Sequence, residues 1–396
     1  MKKLTGGLEN VPGFKYSAIK CGIRYENRLD YCIITANGMC SAAGVFTKNS
    51  LAAAPVRLCK ERIENPIKAV LINSTNANAC TGREGYNNAK FLTKDLGDKI
   101  GSIDTSVLMC STGIIGVQLP AEKMAESHDA LLSSLALENA GDVARAIMTT
   151  DTVPKQAAVS FNTSQGEYFV AGIAKGAGMI APNMATMLCF ITTNAPVERE
   201  RLQNILEWAA DETFNNITID GDTSTNDTLL ALSPIEDKPI SEPKDIENFA
   251  EALYEVAASL AEQLVRDGEG ATKFIRINVV GARTNEDAML MAKSISRSLL
   301  VKTAFFGEDP NWGRIAMAIG NSGGEILEDC LSISFGDCTF LDNGHPREIA
   351  QEKIKQVMSQ KEITVTVDCH LDNGEAEVLT SDLSYEYVKI NADYST

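Results

Sequence analysis

The residue type best placed to do chemistry in this 396-residue chain is a threonine, Thr186. It is the last residue but one of the run Lys175-Gly-Ala-Gly-Met-Ile-Ala-Pro-Asn-Met-Ala-Thr-Met187, and the apolar stretch LCFITT follows at once. Gly176, Gly178 and Pro182 break regular structure, so Thr186 falls at a loop-to-strand junction behind the small Ala185. A threonine hydroxyl is a weak nucleophile and needs a base beside it. Cleavage of the Ala185–Thr186 bond would supply one. The new α-amine titrates at about 7.7–8.0, far below a lysine, so a useful fraction is neutral near pH 7. The same hydroxyl can make the cut: Oγ attacks the Ala185 carbonyl, an ester forms by N-to-O shift, and water hydrolyses it. On residues alone, a glycine-rich loop feeding a buried strand explains the segment as well.

The rest of the sequence bears on this chemistry. Only three histidines are present, His128, His345 and His370, and none adjoins a nucleophile motif, which lowers the expectation of a histidine base. Acyl chemistry also needs donors for a developing oxyanion. The run MCSTGIIG (109–116) offers Ser111, Thr112 and Gly113 between two apolar stretches, where a turn could aim successive backbone N–H groups and the Thr112 hydroxyl at one point. A plain strand-end turn is the alternative. Further small, polar runs are STNANACTG (74–82), MTTDTVPK (148–155), DGDTSTND (220–227), RDGEGATK (266–273), GEDPNWGR (307–314) and the terminal NADYST (391–396). Any one is an ordinary turn. Together, mostly abutting strand-like runs, they suit a site for small polar ligands.

These loops need elements to carry them. Runs rich in β-branched and aromatic residues predict strands at 30–37, 67–74, 156–162, 167–174, 186–193, 273–281, 363–371 and 385–391. Apolar spacing near 3.6 predicts helices at 86–98, 121–147, 197–214, 244–266, 285–302 and 346–359. The interleaving points to layered α/β architecture. The proline-rich, charged stretch 232–244 is the best candidate for a surface loop or domain edge.

Composition narrows the function class. The formal charge of −17 works against nucleic-acid and anionic-membrane partners. No apolar run reaches the roughly 18 residues of a membrane span, and no apolar stretch follows Lys2 and Lys3 as in a secretory signal, so a cytoplasmic enzyme is expected. The ten cysteines include no C-x-x-C pair and sit mostly among apolar neighbours, which suggests buried thiols rather than zinc ligands.

The order STGIIG, MTTDTVPK, KGAGMIAPNMATML, DGEGATKF and GEDPNWGRI resembles the ornithine acetyltransferase (bifunctional glutamate N-acetyltransferase) family of arginine biosynthesis, from about residue 10 to the C-terminus. The resemblance implies a layered α/β fold of the self-processing aminopeptidase/ornithine acetyltransferase type, built of two α/β portions. It implies autocleavage at Ala185–Thr186 into an α-chain, 1–185, and a β-chain, 186–396, which stay together as an α2β2 heterotetramer. It gives Thr186 the acetyl group and makes Thr112 and Gly113 the oxyanion donors. It places Thr149 or Thr150, Lys175, Glu269, Asn391 and Thr396 on the substrate, with Thr149 preferred of the adjacent pair. The implied reaction is ping-pong transfer of acetyl from N2-acetyl-L-ornithine to L-glutamate, with no metal or organic cofactor. Some family members also take acetyl from acetyl-CoA, and this sequence leaves that donor open. The rival readings are a self-processing aminopeptidase, which would pass the acyl group to water, and a non-catalytic amino-acid-binding protein, which would stay uncut.

Overall fold

A computed structural model of the chain describes residues 1–181 and 187–393. Alternating apolar residues account for its first sheet. In the strands Tyr31–Phe46, Ile67–Asn73 and Val107–Ser111, one set of side chains (Cys32, Ile34, Val70, Ile72, Leu108, Cys110) faces one core. The intervening set (Tyr31, Ile33, Ala69, Leu71, Val107, Met109) faces another. A period-2 pattern that is apolar on both faces gives a sheet covered on both sides. The helix Gly82–Lys99 covers the second face with Ala89, Leu92 and Leu96.

In chain order the strands are β1 (Lys2–Leu4), β2 (Phe14–Ile19), β3 (Tyr31–Phe46), β4 (Ile67–Asn73), β5 (Val107–Ser111), β6 (Lys155–Thr163), β7 (Gly166–Lys175), β8 (Leu188–Thr193), β9 (Ile217–Thr218) and β10 (Thr228–Pro234). All but β9 form one mixed sheet in the order β1-β6-β7-β8-β10-β3-β4-β5, with β2 on β3. The helix Pro243–Arg266 buries Phe249, Leu253, Val256, Leu260 and Leu264, a stripe at helical spacing. It packs tightly on β7, where a Cβ on Gly172 would lie 2.9 Å from Leu260 Cδ1.

The chain divides into two compact units. The first comprises Met1–Asn215 and Asp222–Leu264; the second comprises Asn216–Gly221 and the chain from Val265 to the end of the described residues. The stretch 232–244 runs within the first unit, from β10 into the helix Pro243–Arg266. In the second unit β9 joins β11 (Phe274–Ala282), β12 (Ser332–Phe335), β13 (Cys338–Asp342), β14 (His345–Pro346), β15 (Glu362–Asp368) and β16 (Gly374–Ser381). Their order is β14-β13-β12-β15-β11-β16-β9. The helices Asn285–Arg297 and Trp312–Gly320 supply Met291, Ile295, Ile315 and Ile319 to the core of this unit. Each unit is thus an α/β portion, as the interleaved pattern predicts.

Three element readings need correction. The run 385–391 is not a strand but part of the helix Tyr385–Asp393. The Ser384 hydroxyl accepts the Tyr387 N–H at 3.4 Å and so caps its start, and Tyr385 and Val388 stay exposed. The single helix expected over 121–147 is three short ones, Ala121–Glu126, His128–Ser133 and Ala140–Ala146, and 285–302 is broken at Ser298, which caps the helix Leu299–Phe306. Among the described residues, no helix is long and apolar enough to cross a membrane. Eight of the ten cysteines are buried; Cys330 is half-buried and Cys80 exposed.

Candidate active site

Ala185, Thr186 and Thr396 lie outside the described residues. The remaining residues singled out by sequence fall into two groups, one in each unit.

In the first unit Lys175 is the last residue of β7 and is only 3% exposed. It is not a solvated loop lysine, as its sequence alone would suggest. Its Nζ donates to Thr149 Oγ1 at 2.7 Å and to Thr112 Oγ1 at 3.3 Å. Of the Thr149–Thr150 pair, it is therefore Thr149 whose hydroxyl meets Lys175. A hydroxyl that accepts from an ammonium keeps its own hydrogen for another acceptor. The Thr112 O–H is thus left to donate, and it meets no acceptor among the described residues.

The turn after β5 is shaped by its neighbours. The Thr112 N–H is taken by Asn73 O at 3.0 Å and the Ile114 N–H by Thr75 O at 3.3 Å, while the Gly113 N–H between them meets no acceptor among the described residues. The several backbone N–H groups plus a hydroxyl that the sequence allowed are therefore reduced to one amide plus one hydroxyl. Gly113 has φ +134°, and a Cβ there would lie 2.2 Å from Thr75 C, so glycine is required. Thr75 itself has φ +72°, a costly conformation for a β-branched residue. Such strain persists where surrounding structure enforces it, commonly at functional sites. Here Asn73 Oδ1 accepts from the Ser111 hydroxyl at 2.6 Å, and its amide donates to Asn76 O at 2.8 Å.

Asp151 and Lys155, which sequence reading passed over, sit beneath this cluster. Asp151 Oδ1 accepts from Lys155 Nζ at 2.7 Å and from the Gly176 N–H at 2.6 Å, and Oδ2 accepts from the Thr149 N–H at 2.9 Å. Both charged side chains are wholly buried. Burial alone would raise the Asp151 pKa, but Lys175, Lys155 and these donors outweigh it and hold the carboxyl down at about 2. One ionised carboxylate thus anchors both the residue before Thr150 and the glycine after Lys175. The signal was present: an aspartate and a lysine four residues apart inside the polar run MTTDTVPK.

Among the described residues, no histidine hydrogen-bonds to these groups. His128 is buried between the Tyr31 hydroxyl and Asp95, each at 2.6 Å, and burial pushes its pKa down despite the carboxylate. His370 lies beside Ser332 and Asp368, just past the end of β15.

In the second unit Asn391 Nδ2 donates to Glu269 Oε2 at 2.7 Å and to Tyr387 O at 3.0 Å. The loop 267–272 is moulded to the start of the helix Tyr385–Asp393. Gly270 has φ +66°, a Cβ on it would lie 2.5 Å from Tyr387 N, and its carbonyl accepts the Ser384 hydroxyl at 2.6 Å. Glu269 and Asn391, distant in sequence, are therefore neighbours.

Comparison with known proteins gives consistent results. The profile of the ArgJ family matches residues 15–396. The arginine biosynthesis bifunctional protein ArgJ of Geobacter sulfurreducens is 46% identical over 392 residues, covering 98% of this chain and all of that protein. A crystal structure of the corresponding protein of Bacillus halodurans aligns at 40% identity with a TM-score of 0.48, covering 52% of this chain and 98% of that one. Ornithine acetyltransferase from Mycobacterium tuberculosis, solved with ornithine, aligns at 30% identity with a TM-score of 0.43, covering 47% of this chain and 99% of that one.

Proposed function

The chain belongs to the ArgJ family, and on that premise we propose that it is an amino-acid acetyltransferase of arginine biosynthesis that cuts itself at Ala185–Thr186 and carries acetyl on Thr186. N2-acetyl-L-ornithine acetylates the Thr186 hydroxyl and L-ornithine leaves. L-glutamate then accepts the acetyl group. The freed α-amine of Thr186 is the base in both half-reactions, taking the hydroxyl proton on attack and the proton of the attacking amine on transfer.

One observation carries the assignment. The Thr112 hydroxyl and the Gly113 N–H are adjacent donors without acceptors among the described residues, beside a buried ammonium that polarises the first of them. That combination suits the negative oxygen of a tetrahedral intermediate, and fixed donors of this kind act before any rearrangement is needed. Lys175 and Thr149 are assigned to the substrate, where an ammonium complements the α-carboxylate that ornithine and glutamate share. Thr150 stays a candidate contact at the same position. In the second unit Glu269 is assigned to a substrate amine, with Asn391 orienting it and Thr396 as a further contact. Acetyl-CoA is a second candidate donor. The reading takes the protein as a cytoplasmic assembly of two α- and two β-chains.

Intact mass tests the processing step. Wild-type protein is expected as two fragments beginning at the N-terminus and at Thr186, and Thr186→Ala as one chain. A wild-type preparation that remains one chain, or a Thr186→Ala chain that is still cut there, would contradict the reading.

A further inference from the structure

The run DGDTSTND has no part in the reaction so far, yet its last two residues are buried and lie directly before β10. Asn226 Nδ2 donates to Ala77 O at 2.6 Å and to Ser111 O at 2.8 Å. It thereby ties the loop 74–82 to the end of β5, one residue before Thr112. Its orientation is set by the Thr225 hydroxyl, which donates to Asn226 Oδ1 at 2.7 Å. The next side chain reaches the residue that follows Thr186 in the chain. Asp227 Oδ1 accepts the Met187 N–H at 3.0 Å. The main chain repeats the tie, since the Thr228 N–H donates to Met187 O at 3.0 Å and the Thr47 N–H to Asp227 O at 3.0 Å. Asp227 Oδ2 is buried and has no partner among the described residues. A buried polar atom of that kind calls for an explanation.

We propose that Asp227, with Asn226 beside it, is a positioning residue for acyl transfer: two consecutive side chains hold the turn bearing Thr112 and Gly113 and the residue that follows Thr186 in one register. The inference rests on Thr186 being the nucleophile. Met187 is bonded to Thr186, and one residue of chain spans at most about 3.6 Å, so the position of Met187 limits where the Thr186 hydroxyl can reach. The distance that matters is between the attacking oxygen and the oxyanion donors. A misplacement of about 1 Å there is worth roughly a hundredfold in rate. Burial pushes the Asp227 carboxyl well above the usual carboxylate range, although the Met187 N–H and Lys175 pull it back. What the Met187 N–H requires is an acceptor oxygen, which the carboxyl offers in either protonation state.

Asparagine keeps that oxygen; alanine removes it. In the full-length protein, Asp227→Ala should lower kcat for acetyl transfer to L-glutamate about a hundredfold while KM moves less than about threefold. Self-cleavage, read by intact mass, should slow in parallel. Asp227→Asn should recover most of both losses. A residue that only supports the fold would instead lower the melting temperature and the yield of active protein, leaving kcat per folded site unchanged. If Asp227→Ala does not fold, Asp227→Ser replaces it, its hydroxyl being too short to reach Met187; impaired Ser beside active Asn supports the inference. Folded Ala or Ser variants with kcat within about twofold of wild type, or an Asn variant as poor as Ala at an unchanged melting temperature, would overturn it. Thr186→Ala is run alongside. If that variant is itself cut and active, the nucleophile assignment fails, whatever Asp227 does.

Discussion

Lys155 in the first unit and Lys302 in the second are both fully buried, and their surroundings are opposite. Lys155 is paired with an ionised carboxylate, Asp151, at 2.7 Å, both side chains being shut off from water. Lys302 donates to the Thr380 hydroxyl at 2.8 Å and to the Ser381 carbonyl, with no ion pair to a carboxylate among the described residues. Burial accordingly pushes its pKa down to about 7, although Asp382 and Asp220 draw it upward. The first unit keeps a full charge pair inside, next to the residues assigned to chemistry. The second buries its lysine among neutral oxygens and lets it approach neutrality. A buried ion pair is a poor way to gain stability, because desolvation offsets attraction. Its presence in one unit is therefore better explained by what it orients: the Thr149 and Gly176 N–H groups that flank Thr149 and Lys175.

Substitutions can break or sharpen this contrast. Lys155→Met should have the largest effect, costing about 3–5 kcal/mol in urea unfolding, because it leaves Asp151 under-compensated in a dry site. A cost below about 1 kcal/mol would mean that the pair is no anchor. Gly113→Ala should come next. The added Cβ would sit 2.2 Å from the Thr75 backbone at φ +134°, so the turn must move and kcat should fall about 10²–10³-fold in the acetyl-transfer assay. Full activity in that variant would remove Gly113 from the oxyanion site. Lys302→Met should be mildest, within about 2 kcal/mol at pH 7, since the group it replaces is already about half neutral there and leaves no partner carboxylate unpaired. Its signature is pH dependence. The folded-state pKa of Lys302 is below its ordinary value of 10.5, near 7. The unfolded chain therefore binds the extra proton in that window, and stability should rise from pH 7 toward pH 10 in wild type. Lys302→Met should flatten that rise; an unchanged slope would show that another group causes it.

Much of the scaffold was legible in the sequence, for physical reasons. The runs 67–74 and 156–162 are short and mostly apolar, as strands buried on both faces demand, and they largely coincide with β4 and β6. The run 385–391 also looks like a strand, because Tyr385, Tyr387, Val388 and Ile390 favour extended chain. Its state was decided by Ser384 and the Gly270 turn, a tertiary contact that propensity does not contain. At the site, Thr112 stood out in its polar run and Thr149 and Lys175 were implied by the family resemblance, and the structure brings the three together. Asp151, Lys155, Asn226 and Asp227 lay in the same runs and were missed. Their importance comes from burial and from partners distant in the chain, and neither is visible in residue type alone.

Trapping the acetyl group tests the central claim most directly. Purified protein is given N2-acetyl-L-ornithine without L-glutamate, and the fragments are weighed and mapped. The account predicts one acetyl group on the fragment that begins at Thr186, located on that residue, and its loss when L-glutamate is added. Full-rate transfer by an uncut chain, or by a fragment that never carries acetyl on Thr186, would contradict it.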